Sequence, residues 1–278
     1  MLSGVSIVCL IGSYSVAFVL ELFRFFFASR FRHFFLTITV FLGLVAHSAF
    51  LYHHQISLES GKLVNSVQGF FLTAAWGLVC VYLFLCCFYP RIPFGLYLIP
   101  VTLGLIFGGT SWANPSPYPL QSVGQIWRAV HGLAILLATL SVFVSFVAGL
   151  MFWEQQRRLK KKIATEAELQ WPSLEWTQTA VRHGIGFSTA LLAVGIFSGL
   201  LLNHLILIYE QRTVSLTDPL VIGVSVLFLF LLAFLGTLTV YRPLQEGRRI
   251  AALTSWSFLF LVSILLFALF YGGAHWHK

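Results

Sequence analysis

The chain has 278 residues, 58% of them hydrophobic and only 9% charged, with a formal net charge of +8. A soluble globular domain usually carries about 25% charged residues, so too few polar side chains remain here to cover a water-facing surface. Composition therefore excludes a soluble domain of useful size, and the excess of cations reads as the basic flanks that orient membrane spans rather than as a nucleic-acid surface.

A bilayer core is crossed by about 20 apolar residues in a helix. On that measure the sequence predicts an all-α integral membrane protein of about eight spans, forming one polytopic domain over residues 1–278. The first span covers residues 4–26 and reads as retained rather than as a cleaved signal, because no basic segment precedes it. A basic turn with Arg24, Arg30, Arg32 and His33 leads to a second span at 34–54, which closes on His53-His54. A polar loop (55–66) precedes a third span at 67–89. The turn Pro90-Arg91-Ile92-Pro93 then breaks the chain before a fourth span at 94–110, since neither proline continues a helix.

Residues 111–125, with Pro115, Pro117 and Pro119, read as a loop. The fifth span lies in residues 126–162. It opens on Trp127, Arg128 and His131, runs apolar to Trp153, and ends in Arg157, Arg158, Lys160, Lys161 and Lys162. The longest polar segment, 154–176, reads as a short helical extension and a basic cytoplasmic loop. Spans six to eight are expected at 178–206, 219–241 and 250–272, with an outer loop at 207–218. There Asp218-Pro219 has the pattern of a helix start, Asp as N-cap and Pro first in the helix.

Lysines and arginines sort by side. Thirteen (Arg24, Arg30, Arg32, Arg91, Arg157, Arg158, Lys160, Lys161, Lys162, Arg182, Arg242, Arg248, Arg249) fall on one face and four (Lys62, Arg128, Arg212, Lys278) on the other. The positive-inside rule makes the first face cytoplasmic and puts both termini outside.

Cys9, Cys80, Cys86 and Cys87 lie in apolar runs without a CxxC pair, which removes zinc, thioredoxin-like and heme-attachment motifs. No GxSxG, HExxH or phosphate-binding glycine loop occurs. Glu21 is the carboxylate nearest a membrane interior, with Arg24 three residues on as its helical partner. Of nine histidines, His53, His54, His131, His204, His275 and His277 map to outer ends of spans. His47 lies about two turns deeper, and only His33 and His183 fall on the cytoplasmic side. Imidazole ligates metals and heme iron, but histidines at span ends also serve as packing and anchoring groups, so both readings stand.

The order of several stretches resembles the CcsA/CcmC/HemX superfamily, the cytochrome c assembly family, from about the second span to the end. The stretches are 44–54 (LVAHSAFLYHH), 69–76 (GFFLTAAW), and His131 opening a span that closes on Gly149, Glu154 and Leu159-Lys160. They continue with 186–203 (GFSTALLAVGIFSGLLLN), similar to a G-F-x-x-L-x-x-G-I-x-S-G signature, then 247–252 (GRRIAA) and Gly273-Ala274-His275-Trp276. The resemblance implies heme presented at the outer face, with His131 and His275 as axial ligands to its iron and a tryptophan-rich loop between them. His47 and His204 are weaker candidates for the metal. Arg128 and Arg212 are the cations available to heme propionates.

The sequence departs from that family at two places. Residues 204–219 keep Asp218-Pro219 but hold no tryptophan, and 236–240 (GTLTV) hold no intramembrane histidine. Three functions are thereby expected, in order. The first is a heme chaperone or assembly factor of c-type cytochrome biogenesis in a bacterial inner membrane. It would work with a membrane partner subunit and apocytochrome c, and it would not be an enzyme in itself, because the cysteines that take the thioether bonds belong to the apocytochrome. The second is a HemX-like accessory or regulatory protein with weak or no heme binding. The third is a small-molecule transporter, whose broken helices and related halves are not evident. Beyond these, membrane lipid is an expected contact and nucleic acid is not.

Overall fold

The computed structural model describes residues 7–25, 30–57, 66–113, 125–162, 171–210, 215–240 and 247–271. Among them the fold is all-helical, with eight α-helices: α1 (Ile7–Leu22), α2 (Arg30–Ser57), α3 (Val67–Phe88), α4 (Gly95–Ser111), α5 (Gln125–Lys161), α6 (Leu174–Glu210), α7 (Pro219–Val240) and α8 (Gly247–Tyr271). Six segments are long and apolar enough to cross a membrane: Phe31–His53, Val67–Phe88, Ile126–Lys161, Leu174–Tyr209, Pro219–Thr237 and Arg249–Phe270. That is the build of a multi-pass membrane protein.

Helices α3, α6 and α7 start where a side chain supplies a cap. Ser66 Oγ accepts from Gly69 N at 3.0 Å ahead of α3. Ser173 Oγ accepts from Trp176 N at 3.1 Å ahead of α6. Asp218 Oδ1 accepts from Leu220 N at 2.8 Å, with Pro219 as the first residue of α7, as the Asp-Pro pair implied.

The helix ends follow the sequence expectation at α4 and along the extension of α5, and depart from it at the end of α1. α1 ends at Leu22, short of the end expected at residue 26, whereas α4 has 17 residues, the length expected at 94–110. α1 stops because residues Phe23–Phe25 tighten into a 3-10 turn, which brings Arg24 back onto Glu21 at 3.0 Å. α5 continues to Lys161, so the first two turns of the basic segment 154–176 are helix. Glu154 holds Arg158 at 2.9 Å and Arg157 at 3.9 Å along that extension. Lys162 then takes a positive φ of 50°, a left-handed terminus at which the helix stops.

Contacts divide the chain into two compact units. Unit 1 is Met1–Tyr118, Ala164–Trp171 and Leu269–Lys278; unit 2 is Pro119–Ile163 and Pro172–Ala268. In unit 1, α1 packs on α2 and α4, and α3 packs between α2 and α4 in sequence order. Its core is made of Leu10, Tyr14, Leu36, Leu72, Leu78 and Ile106, each nearly fully buried. In unit 2 the most extensive packing is between α5 and α6, each 37 residues and therefore about 55 Å long, well beyond the ~30 Å of a hydrocarbon core. α5 also packs on α8, where Phe146 and Phe258 stack with ring centroids 3.7 Å apart.

The α5–α6 hairpin is close because α6 turns small residues toward α5. A Cβ on Gly184 would overlap the Ser145 hydroxyl, one on Gly195 would lie 2.6 Å from Ile135 Cδ1, and one on Gly199 would lie 3.0 Å from the His131 ring. Each step along α6 meets the matching step back along α5. This small-residue seam is the usual way for helices to approach in lipid, where apolar burial supplies no drive between them.

Candidate functional site

His131 lies in the second turn of α5 and is half-buried. Its Nδ1 is 2.7 Å from the Gly195 carbonyl oxygen of α6. A carbonyl can only accept, so in the neutral ring Nδ1 carries the hydrogen and Nε2 keeps its lone pair. Nε2 makes no hydrogen bond among the described residues. The ring rests against Gly199, where any side chain would press on Cε1 and Nδ1. Ser198 Oγ donates to Gly195 O at 3.0 Å and to Val194 O at 2.7 Å, so its hydroxyl stays on its own helix and leaves the histidine unobstructed. The segment Gly195-Ile196-Phe197-Ser198-Gly199 is thus a seat that fixes both the tautomer and the orientation of His131. A histidine held through one nitrogen on a backbone carbonyl has the arrangement that metal-ligating imidazoles use.

Two tryptophans flank the apolar length of α5 that this histidine opens. Trp127 and Trp153 are both exposed on α5 and are separated by a rise of about 39 Å, close to the span between two membrane interfaces. That is the spacing interfacial anchors require. His131 is one turn from Trp127 along α5. Arg128 precedes it by three residues on the same helix, and His204 is exposed near the end of α6.

The other expected ligands are distributed differently. His47 belongs to unit 1, in α2, with no exposed surface. Its Nδ1 lies 3.3 Å from Tyr14 Oη of α1, and its Nε2 is buried without a partner. His275 and Arg212 lie outside the described residues, as do His277 and the side chain of His54. His53 is described on the last turns of α2. Among the described residues no three His, Cys, Asp or Glu side chains converge as a metal site would require.

The structure also assembles a cluster that the sequence signalled only in half. Glu21 is 1% exposed and takes Arg24 at 3.0 Å, as its spacing implied, but also Arg32 of α2 at 3.5 Å. Arg24 reaches further, donating to Pro90 O at 2.9 Å and Ile92 O at 3.1 Å, so it straps the end of α1 to the α3–α4 turn. Gly95 leaves room for this packing: a Cβ there would be 3.0 Å from both Glu21 Cγ and Tyr82 Oη. The signal that could have found Arg32 is the excess itself, one acid among several arginines at a span end.

Comparison with family models, curated proteins and solved structures finds no match to this chain.

Proposed function

We propose that this protein is a membrane heme-handling factor of c-type cytochrome biogenesis that presents a histidine nitrogen at the outer membrane face. The observation that carries the reading is the His131 seat: Nδ1 bound to Gly195 O at 2.7 Å, which leaves Nε2 as the ligating nitrogen. An oriented imidazole one turn from an exposed tryptophan suits an iron porphyrin, whose flat apolar body favours hydrocarbon and whose propionates favour the headgroup layer. Heme, when bound, would supply the iron that a histidine nitrogen ligates. His131 and His275 would be the residues that hold it, with Arg128 and Arg212 as the cations available to the propionates. The protein's own part is to hold and orient. It contributes no bond-making group, which makes it an assembly factor working beside a membrane partner subunit and an apocytochrome in a bacterial inner membrane.

A second reading is favoured by one observation in the sequence. Residues 204–219 lack the tryptophans that would cradle a porphyrin. On that reading the protein is a HemX-like accessory factor acting through a partner, and His131 is a packing residue of the α5–α6 hairpin. The visible spectrum of detergent-purified protein separates the two. The heme reading expects a Soret band, present as isolated or after hemin addition, that is lost in His131→Ala and in His275→Ala. A protein that stays colourless with hemin would sink it in favour of the accessory role.

A further inference from the structure

The cluster at the end of α1 is unbalanced in charge. Among the described residues Glu21 is the one acid in it, and it faces two guanidinium groups whose side chains are only 7% and 14% exposed. Excess charge buried at the end of a membrane helix is costly unless a counter-charge is supplied.

The two arginines are not equivalent. Arg24 makes three well-formed bonds, to Glu21, Pro90 O and Ile92 O, all at 2.9–3.1 Å. Arg32 reaches Glu21 Oε2 and Leu20 O only at 3.5 Å each, beyond the usual hydrogen-bond length, and its buried Nε has no partner. Its donors are therefore largely unused. Arg32 also lies in the first turn of α2, which contains no acidic side chain, so the helix adds its positive end to the same place. Arg91 completes the set. It is exposed on the α3–α4 turn, and Arg24 binds the carbonyls on either side of it.

We propose that this end of unit 1 binds a phosphate group, of the kind an acidic phospholipid headgroup presents, with Arg32 and Arg91 as its ligands. Arg24 and Glu21 are the frame that positions them. The phosphate supplies the missing negative charge, and the planar guanidinium fork matches its oxygens. The site stands where the apolar run of α2 begins, at Phe31, which is the level of the headgroup layer. Unlike the lysines at the end of α5, which stand exposed on one helix, this site is held by three elements.

The full chain purified in detergent tests this by native mass spectrometry and thermal unfolding, with dioleoylphosphatidylglycerol, dioleoylphosphatidylcholine and inorganic phosphate as probes. The expected result is preferential retention of the phosphatidylglycerol and a raised midpoint. Both should weaken about tenfold in affinity in Arg32→Gln and Arg91→Gln and stay unchanged in Lys160→Gln/Lys161→Gln. If inorganic phosphate alone reproduces the shift and Arg32→Gln removes it, the site takes free phosphate. Retention unaffected by Arg91→Gln, or lost equally in the lysine variant, overturns the proposal. Because Arg91 is exposed, its variant decides the matter even if Arg32→Gln does not fold.

Discussion

The two units keep polar groups inside apolar helices by opposite means. Unit 1 buries formal charge, Glu21 between Arg24 and Arg32, and spans three elements to do so. Unit 2 buries hydroxyls and glycines. Ser145, Ser188, Thr254 and Ser257 are fully buried, yet each hydroxyl donates to a carbonyl three or four residues back on its own helix. The hydroxyl strategy makes each helix self-sufficient and lets the hairpin close on shape alone. The charge strategy makes the elements depend on one another, because removing any member strands the rest.

The sharpest way to break this contrast is Glu21→Ala. It would leave two buried guanidinium groups without their carboxylate, and such a loss costs about 3–5 kcal/mol. We expect little monodisperse protein from that variant and a steep loss of unfolding midpoint by circular dichroism in detergent. A variant as stable as wild type would mean that the arginines are already neutralised by something other than Glu21.

In unit 2 the equivalent lesion is steric and should be repairable. Gly184→Ala places a methyl against the Ser145 hydroxyl, which is held on Ser141 O at 2.7 Å. Overpacking of this kind costs about 1–3 kcal/mol. Ser145→Ala on the same chain removes the obstructing oxygen, so the double variant should recover most of the loss, measured by unfolding of all three proteins. Gly199→Ala presses instead on the His131 ring at 3.0 Å. On the heme reading the expected outcome is a weaker Soret band at nearly full helicity, because the ring shifts off Gly195 O while the hairpin remains. If Gly199→Ala leaves the spectrum unchanged, the seat does not matter to the ligand.

What the sequence made legible is what lies along one helix or at one interface. The apolar runs located the spans, Asp218-Pro219 located the start of α7, and the spacing of Glu21 and Arg24 gave their ion pair. Contacts between helices were not legible, for a physical reason. His131 and Gly195 are 64 residues apart, and only the small side chains of α6 bring them within 2.7 Å. Those residues read in the sequence as part of a motif, without saying what the motif receives. The same holds for Arg32, which reaches Glu21 only once α1 has ended in its 3-10 turn, and for Tyr14, whose hydroxyl meets His47 across two helices.

The Tyr14–His47 contact calls for a smaller prediction. At 3.3 Å it is a long bond between neutral groups, and such bonds inside membranes contribute about 0.6 kcal/mol on average. Tyr14→Phe should therefore lower stability only slightly, and a double cycle with His47→Phe would measure the coupling itself.

The smallest effect is expected where the geometry looks best. Arg158 Nε lies 2.9 Å from Glu154 Oε1, marginally closer than Arg24 to Glu21 at 3.0 Å. Distance alone would rank the two pairs as equals. Burial separates them: the side chains are 24% and 29% exposed on α5, against 7% and 1% in unit 1. Water screens the exposed pair and solvates either partner once the other is removed, so Arg158→Ala should cost no more than about 0.5 kcal/mol, and the remainder should vanish in high salt. Comparing Arg158→Ala with Arg24→Ala by unfolding at low and high salt therefore isolates burial from geometry. A salt-insensitive loss at Arg158 as large as that at Arg24 would mean that the end of α5 is covered, by lipid or by a partner, and that its basic turns are not the open surface they form here.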